Sequence, residues 1–314
     1  MCSCPYYSGA EYRLQITPEA DSPVSGTINV KVRVLEVFEP ITISPVLKVA
    51  LATESLSIAL PSTLVLKVYD RRYANDLREF YDAPELSEES EEAFRAWAPS
   101  GSGLRRTLEE WKEKRRADDE LDIEPSAEET EAYLATPLAS YYENEVRVYE
   151  HMVSMQGNEI PRFFGRTRFI IESHNAQPDR MTDAEVPGIL VEYMEGTRLD
   201  NLSIDALSPA LCQKCVDIVL AFGDNGVLNQ DVRLENFIVP SSPGILPSGS
   251  ENRRRDLVMI DFAQSRLRRE DEDDEQWKRE KWSTDEEGAI GYVLQTKCGW
   301  DYKPTYRYMV LVEE

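Results

Sequence analysis

Between Thr27 and Tyr193 the apolar residues fall into five short runs of β character, and one strong helical stripe separates the third run from the fourth. The first run, Thr27 to Phe38, alternates with Ile28, Val30, Val32 and Val34 on one face. The second, Ile41 to Leu51, is β-rich, and the third, residues 63 to 69, is almost wholly apolar apart from Lys67. Residues 160 to 171 and 188 to 193 supply the last two. Alternation at period two is the signature of half-buried strands. The helical stripe lies in Leu138 to Met155, where Tyr142, Val146, Tyr149 and Val153 recur at helical spacing and Gln156-Gly157 ends the run. Five strands with one helix inserted predict a small β-rich lobe of α+β class.

The segments around this lobe are of different character. Residues 1 to 25 are polar and rich in Ser and Pro, and are expected to form a loose tail. Residues 75 to 137 are dominated by acidic charge, with a Gly- and Ser-containing break at 98 to 103, and read as a surface insertion. Leu104 to Arg116 and Ala127 to Leu134 have helical spacing within it, and Asp118 to Glu124 is an acidic run expected to stay solvated. From residue 196 onward the chain is mainly helical. Ser208 and Pro209 form an N-cap and first-turn pair for a helix reaching Phe222. A further helix is expected over Asp285 to Tyr292, with only a short tail after it.

With 314 residues the chain can bury a sizeable core in one two-lobed domain or two modest ones. Its 35 basic against 58 acidic side chains give a net charge of -23, a field that repels phosphate backbones and anionic lipid surfaces. Nucleic acid and membrane are therefore not expected partners. No apolar run approaches a membrane span and no apolar signal core opens the chain. The five cysteines are scattered, so an intracellular setting, cytoplasmic or nuclear, is the expectation. Cys212 and Cys215 share the spacing of a metal or redox pair, but they lie in an amphipathic helix and read as core.

Several polar residues interrupt apolar stretches at points where chemistry could use them. Lys67 sits inside a strand, and is either an edge lysine reaching water or a catalytic cation with an anionic partner elsewhere. Glu145 lies beside the stripe of the helix and is either an ordinary surface carboxylate or a partner for a cation. Asp231 and Asn236 are five residues apart in a polar loop leading straight into an apolar strand. Asp261 ends the apolar run Leu257 to Ile260 and is either a turn former or a metal ligand.

In this order, a strand Lys, a helix Glu, Asp-x-x-x-x-Asn and Asp-Phe-Ala after a strand, the set resembles the protein-kinase signature across most of residues 28 to 296. The stretches around Lys67, Asn144 to Tyr149 and Gln156 to Gly165 look like those of fungal protein-kinase-like proteins of unassigned substrate. The resemblance implies a two-lobed protein-kinase-like fold, with a five-stranded N-lobe over residues 26 to 195 and a shortened, mainly helical C-lobe over 196 to 314. It also implies ATP and Mg2+ as cofactors. Lys67 would contact the α and β phosphates and be held by Glu145. Asp231 would accept the proton of the acceptor hydroxyl, Asn236 and Asp261 would ligate magnesium, and Glu192, Tyr193 and Met194 would offer backbone groups to adenine. Arg233 stands where protein Ser/Thr kinases carry Lys, which points to a protein hydroxyl ahead of a small-molecule acceptor.

The departures from that pattern are specific. No Gly-x-Gly-x-x-Gly precedes Lys67, for neither 38 to 40 nor 52 to 61 contains glycine. Asn229 takes the place of His, and Ala263 that of the last Gly of Asp-Phe-Gly. A charged run from Arg268 to Glu275 replaces the usual activation segment, without Ala-Pro-Glu. These favour the alternative of a pseudokinase acting as a binding scaffold.

Overall fold

The computed structural model describes residues 4–19, 26–52, 60–97, 126–170, 185–241 and 255–309. The chain divides into two compact units, residues 1–142 with 164–191, and residues 143–163 with 192–314.

The first unit is built on a closed barrel of six strands in the order β1-β2-β3-β4-β6-β5. They are β1 (Glu11–Thr17), β2 (Ile28–Phe38), β3 (Val46–Leu51), β4 (Thr63–Val68), β5 (Phe163–Ile170) and β6 (Glu185–Glu192). β1 alternates strictly between exposed and buried positions, and Tyr12, Leu14 and Ile16 point into the core. It pairs antiparallel with β2 on one side, Leu14 opposite Val30, and with β5 on the other, Ile16 opposite Thr167. Leu14, Val32, Leu47, Leu64, Leu66, Val186 and Leu190 belong to one apolar cluster. Gly165 makes the β5–β1 closure possible: its φ is +133°, and a Cβ there would run into the Thr17 carbonyl.

This barrel corrects the expected fold class. A protein-kinase-like N-lobe would be an open five-stranded sheet, whereas here a sixth strand joins the two edges that such a sheet leaves free. The strand comes from the segment expected to be a loose tail. Closure satisfies the edge hydrogen bonds of β2 and β5, which an open sheet exposes.

The described part of the acidic segment is helical: α1 (Asn75–Phe80), α2 (Glu88–Trp97) and the start of α3 (Ala127–His151). It is more than a surface insertion. Glu131 is buried and takes ion pairs from both Arg71 and Arg78, while the Arg71 guanidinium lies 3.9 Å from the centre of the Phe94 ring and also pairs with Glu91. The runs expected at 104 to 116 and 118 to 124 lie outside the described residues. The two helices expected on either side of Pro137 are one, because Ser126 and Glu129 form a reciprocal cap at its start and the helix continues through the proline. It ends at His151, and a 3-10 turn over Val153–Met155 follows.

In the second unit, α4 (Pro209–Asp224) begins as expected, with Ser208 Oγ accepting the Leu211 N–H at 3.2 Å. Cys212 and Cys215 are buried, and the Cys212 sulfur lies 3.8 Å from that of Cys298 in α6 (Glu286–Cys298). β7 (Gly196–Arg198), β9 (Phe237–Pro240) and β10 (Val258–Met259) make a small antiparallel sheet, and β8 (Val227–Asn229) pairs with β11 (Ser265–Leu267). α5 (Asp274–Thr284) leads into α6. Among the described residues no helix is long and apolar enough to cross a membrane.

Candidate active site

The loop carrying Asp231 is fixed from below. β8 is wholly buried and pairs with β11, Asn229 opposite Ser265. The Asn229 side-chain oxygen accepts the Asp231 N–H at 2.8 Å, closing an Asx turn, and the Gln230 N–H donates to the Gln264 carbonyl at 3.1 Å. Asn229 thus supplies a backbone anchor of its own where the resemblance had a His.

Asn236 then ties the loop to itself. Its Nδ2 donates to the Asp231 carbonyl at 2.8 Å and to Asp231 Oδ2 at 3.0 Å, which orients the amide and turns Oδ1, its acceptor atom, away from Asp231. Asn236 is buried, and its own carbonyl accepts the Ile260 N–H at 2.8 Å. With Met259 opposite Phe237, this bond brings Asn236 and Asp261 to the same end of the β9–β10 ribbon. Arg233 is half exposed and its guanidinium reaches Asp231 Oδ2 at 3.2 Å.

Asp261 occupies the left-handed region at φ 65°, a conformation that costs a non-glycine residue energy and must be held by its surroundings. Glu145 provides part of that hold: its buried carboxylate accepts the Phe262 N–H at 3.3 Å. Asn144 donates to the Ala263 carbonyl at 3.5 Å, and the Phe262 ring packs on Tyr149 and Phe222 with centroids 5.1 and 5.2 Å away. Burial, then the Glu145 and Asp261 carboxylates, push the Tyr149 phenol well above its ordinary value. Tyr149 therefore stays neutral beneath these acids.

Asn236 and Asp261 offer an amide oxygen and carboxylate oxygens, the hard donors that magnesium takes alongside water and phosphate. Among the described residues no three His, Cys, Asp or Glu side chains cluster as a metal site.

Lys67 belongs to the first unit. Leu64, Leu66 and Val68 of β4 enter the barrel core, which puts Lys67 on the other face, yet only 7% of it is exposed. Its ammonium lies 5.7 Å from the centre of the Tyr69 ring. β4 stands between β3 and β6, so the reading of Lys67 as an edge-strand lysine does not hold.

The expected adenine-binding stretch is tied up differently. Arg255 is buried and donates from two nitrogens to Glu192, each at 2.9 Å, and from one of them to the Met194 sulfur at 3.5 Å. The Glu192 N–H donates to the Arg162 carbonyl at 2.9 Å, so that backbone donor is already used. Burial alone would raise the Glu192 carboxyl, but Arg255 and the Arg162 N–H hold it below its ordinary value. Tyr193 is half-buried. Sequence reasoning missed Arg255, which sits in the basic run 253 to 255 and shows no periodicity.

It also missed the pair beneath the loop. The Asn229 N–H donates to Glu286 Oε1 at 2.6 Å, Lys281 donates to the Val227 carbonyl at 3.2 Å, and Lys281 and Glu286 form a buried ion pair. No protein-family model matches the chain, and no curated protein matches it either.

Proposed function

We propose that the chain is an ATP- and magnesium-dependent phosphotransferase acting on a hydroxyl group, with Asp231 as the base. The observation that carries this reading is the double hold of Asn236 on Asp231, with the Ile260–Asn236 bond setting Asp261 alongside. Phosphoryl transfer is mostly a matter of position and charge, which such a loop serves without any particular sheet above it. In this reading the Asp231 carboxylate accepts the acceptor proton, Arg233 pairs with that carboxylate at 3.2 Å, and Asn236 Oδ1 and Asp261 would hold the cation. Magnesium, when bound, neutralises charge on the phosphate oxygens. Lys67 contacts the nucleotide phosphates, a role supported by a buried cation on β4 facing away from the barrel core. Residues 193 and 194 keep the adenine role, without the Glu192 N–H. A protein hydroxyl is the preferred acceptor.

Asp231→Asn should lower phosphotransfer by about 10²- to 10⁴-fold, the usual contribution of a general base. ATP with magnesium should still raise the melting temperature of this variant as it does the parent's. Undiminished turnover in Asp231→Asn sinks the assignment.

The second reading, a binding scaffold, draws support from the glycine-free turn at 38 to 40. It predicts no thermal shift at millimolar ATP and magnesium, and a clear shift removes it.

A further inference from the structure

A cavity of about 280 Å³ in the second unit has no part in the proposed chemistry. Its walls come from α4, α5, α6 and the segment 302 to 308, and five of its lining residues are aromatic: Trp282, Tyr292, Tyr302, Tyr306 and Tyr308. Tyr292 and Tyr302 meet edge to face with centroids 5.0 Å apart, and Trp282 and Tyr306 are 6.5 Å apart and tilted by 44°. Two helix glycines make room for this lining. A Cβ on Gly291 would strike the Tyr302 ring, and one on Gly223 would strike the Tyr308 hydroxyl and the Lys281 ammonium. The tyrosines are therefore seated in the helices rather than laid over them.

The charge of the lining is negative. Asp285, Glu286 and Glu287 face it against Lys281 and Arg307. Both cations are answered within the fold, Lys281 by Glu286 and Arg307 by Asp224. Glu287 takes the Thr305 N–H at 2.7 Å and the Thr305 hydroxyl at 2.6 Å, which aims its carboxylate across the cavity wall. Asp285 uses Oδ1 to cap α6 through the Gly288 N–H at 3.1 Å. Trp282, Tyr292 and Tyr306 are each more than 40% exposed, so rings stand at the mouth as well as within. Large aromatic surface left open on a folded chain is a mark of binding.

A ring face attracts a cation through its quadrupole, and does so best where the cation is poorly hydrated. A carboxylate at the same opening adds charge, and the net charge of -23 raises the local concentration of any cation. An alkylated ammonium, less firmly hydrated than an inorganic ion or a primary ammonium, gains the most from such rings. We propose that this cavity binds a small alkylated ammonium cation, with the rings as walls and Asp285 and Glu287 as the charge. This inference is independent of the phosphotransferase reading, since none of those residues takes part in it.

Choline chloride is the probe, titrated into the full chain with sodium chloride matched and followed by calorimetry and tryptophan fluorescence. The comparison ligand is its neutral tert-butyl isostere, in which carbon replaces the ammonium nitrogen. Choline should bind saturably and about tenfold more tightly than the isostere, the factor a partly desolvated cation–ring contact supplies. Glu287→Gln should weaken choline by about fivefold and leave the isostere unchanged, and Tyr306→Ala should weaken choline by about fivefold and the isostere by less. Trp282→Phe should remove the fluorescence response and keep the heat. Equal affinity for the two ligands makes this an apolar cleft and overturns the proposal, as does the lack of any saturable choline signal. If a variant fails to melt cooperatively, the comparison of the two ligands on the parent chain still decides.

Discussion

Glu286 is the residue on which the Asp231 loop hangs: it takes the Asn229 N–H, and Asn229 in turn takes that of Asp231. Burial raises the Glu286 carboxyl and lowers the Lys281 ammonium, so each charge is costly alone and persists because the other faces it. Removing one partner should therefore hurt more than removing both. Glu286→Gln keeps the acceptor for Asn229 but strands the Lys281 charge, and should cost about 3–5 kcal/mol in denaturant unfolding. Adding Lys281→Met should recover most of that, because the double variant no longer buries an uncompensated charge. A double-variant loss equal to the sum of the Glu286→Gln and Lys281→Met losses measured singly would show that the pair is not coupled. None of this was legible in the sequence. Residues 281 and 286 face each other only because Asp285 adopts a left-handed conformation at φ 47° between two helices. Helical periodicity carries no trace of such a turn. The placing of Asp231 and Asn236 in one loop before an apolar strand, and of Asp261 at the end of another, was legible because short-range spacing is written along the chain itself.

At the scale of elements, the charged run after β11 shows what composition hides. Within the charged run Arg268 to Glu275, Asp271 and Asp274 are exposed, but the Glu272 side chain is buried. Arg266 meets it with two nitrogens at 2.9 and 2.8 Å, and the Arg269 N–H donates to it at 3.1 Å. Immediately after Glu272, Asp273 and Gln276 form the reciprocal cap that starts α5. The turn is thus folded around one inward carboxylate among several outward ones, and a count of charges cannot tell them apart. The Arg266 hydrogen bonds lower the Glu272 carboxyl from 4.5 to about 2. A depressed carboxyl contributes stability that is present above its unfolded value and lost as pH falls toward the folded one. The melting-temperature advantage of the parent over Glu272→Gln should accordingly be level above pH 5, shrink below about 4.5 and be gone near about 2. Thermal melts of both chains across that range test it, and an advantage that survives at the acid end would mean that packing, rather than charge, holds the turn.

For the whole molecule, the decisive feature is the strand that the sequence reading left out. Tyr12, Leu14 and Ile16 alternate as clearly as the residues of β2, but they lie within a Ser- and Pro-rich opening whose average character is that of a tail. Their partners are also remote, since β1 pairs with residues 166 to 169 as well as with β2. Local pattern could find five strands; closure depends on a pairing across some 150 positions that no window of sequence spans. The barrel interpretation makes β1 part of the core, where a tail would be dispensable. Leu14 and Ile16 are each 1% exposed, and replacing either with Ala should destabilise the first unit by about 2–5 kcal/mol through lost burial and the cavity left behind. Gln15, between them, faces solvent, and Gln15→Ala should stay within about 0.5 kcal/mol of the parent. Guanidinium unfolding of the three variants separates the two pictures: a strand in a closed barrel gives this alternation of large and small effects, whereas a tail laid loosely on the surface gives three small ones. The more severely weakened variants should also aggregate on partial unfolding, because freeing β1 returns unpaired edges to β2 and β5.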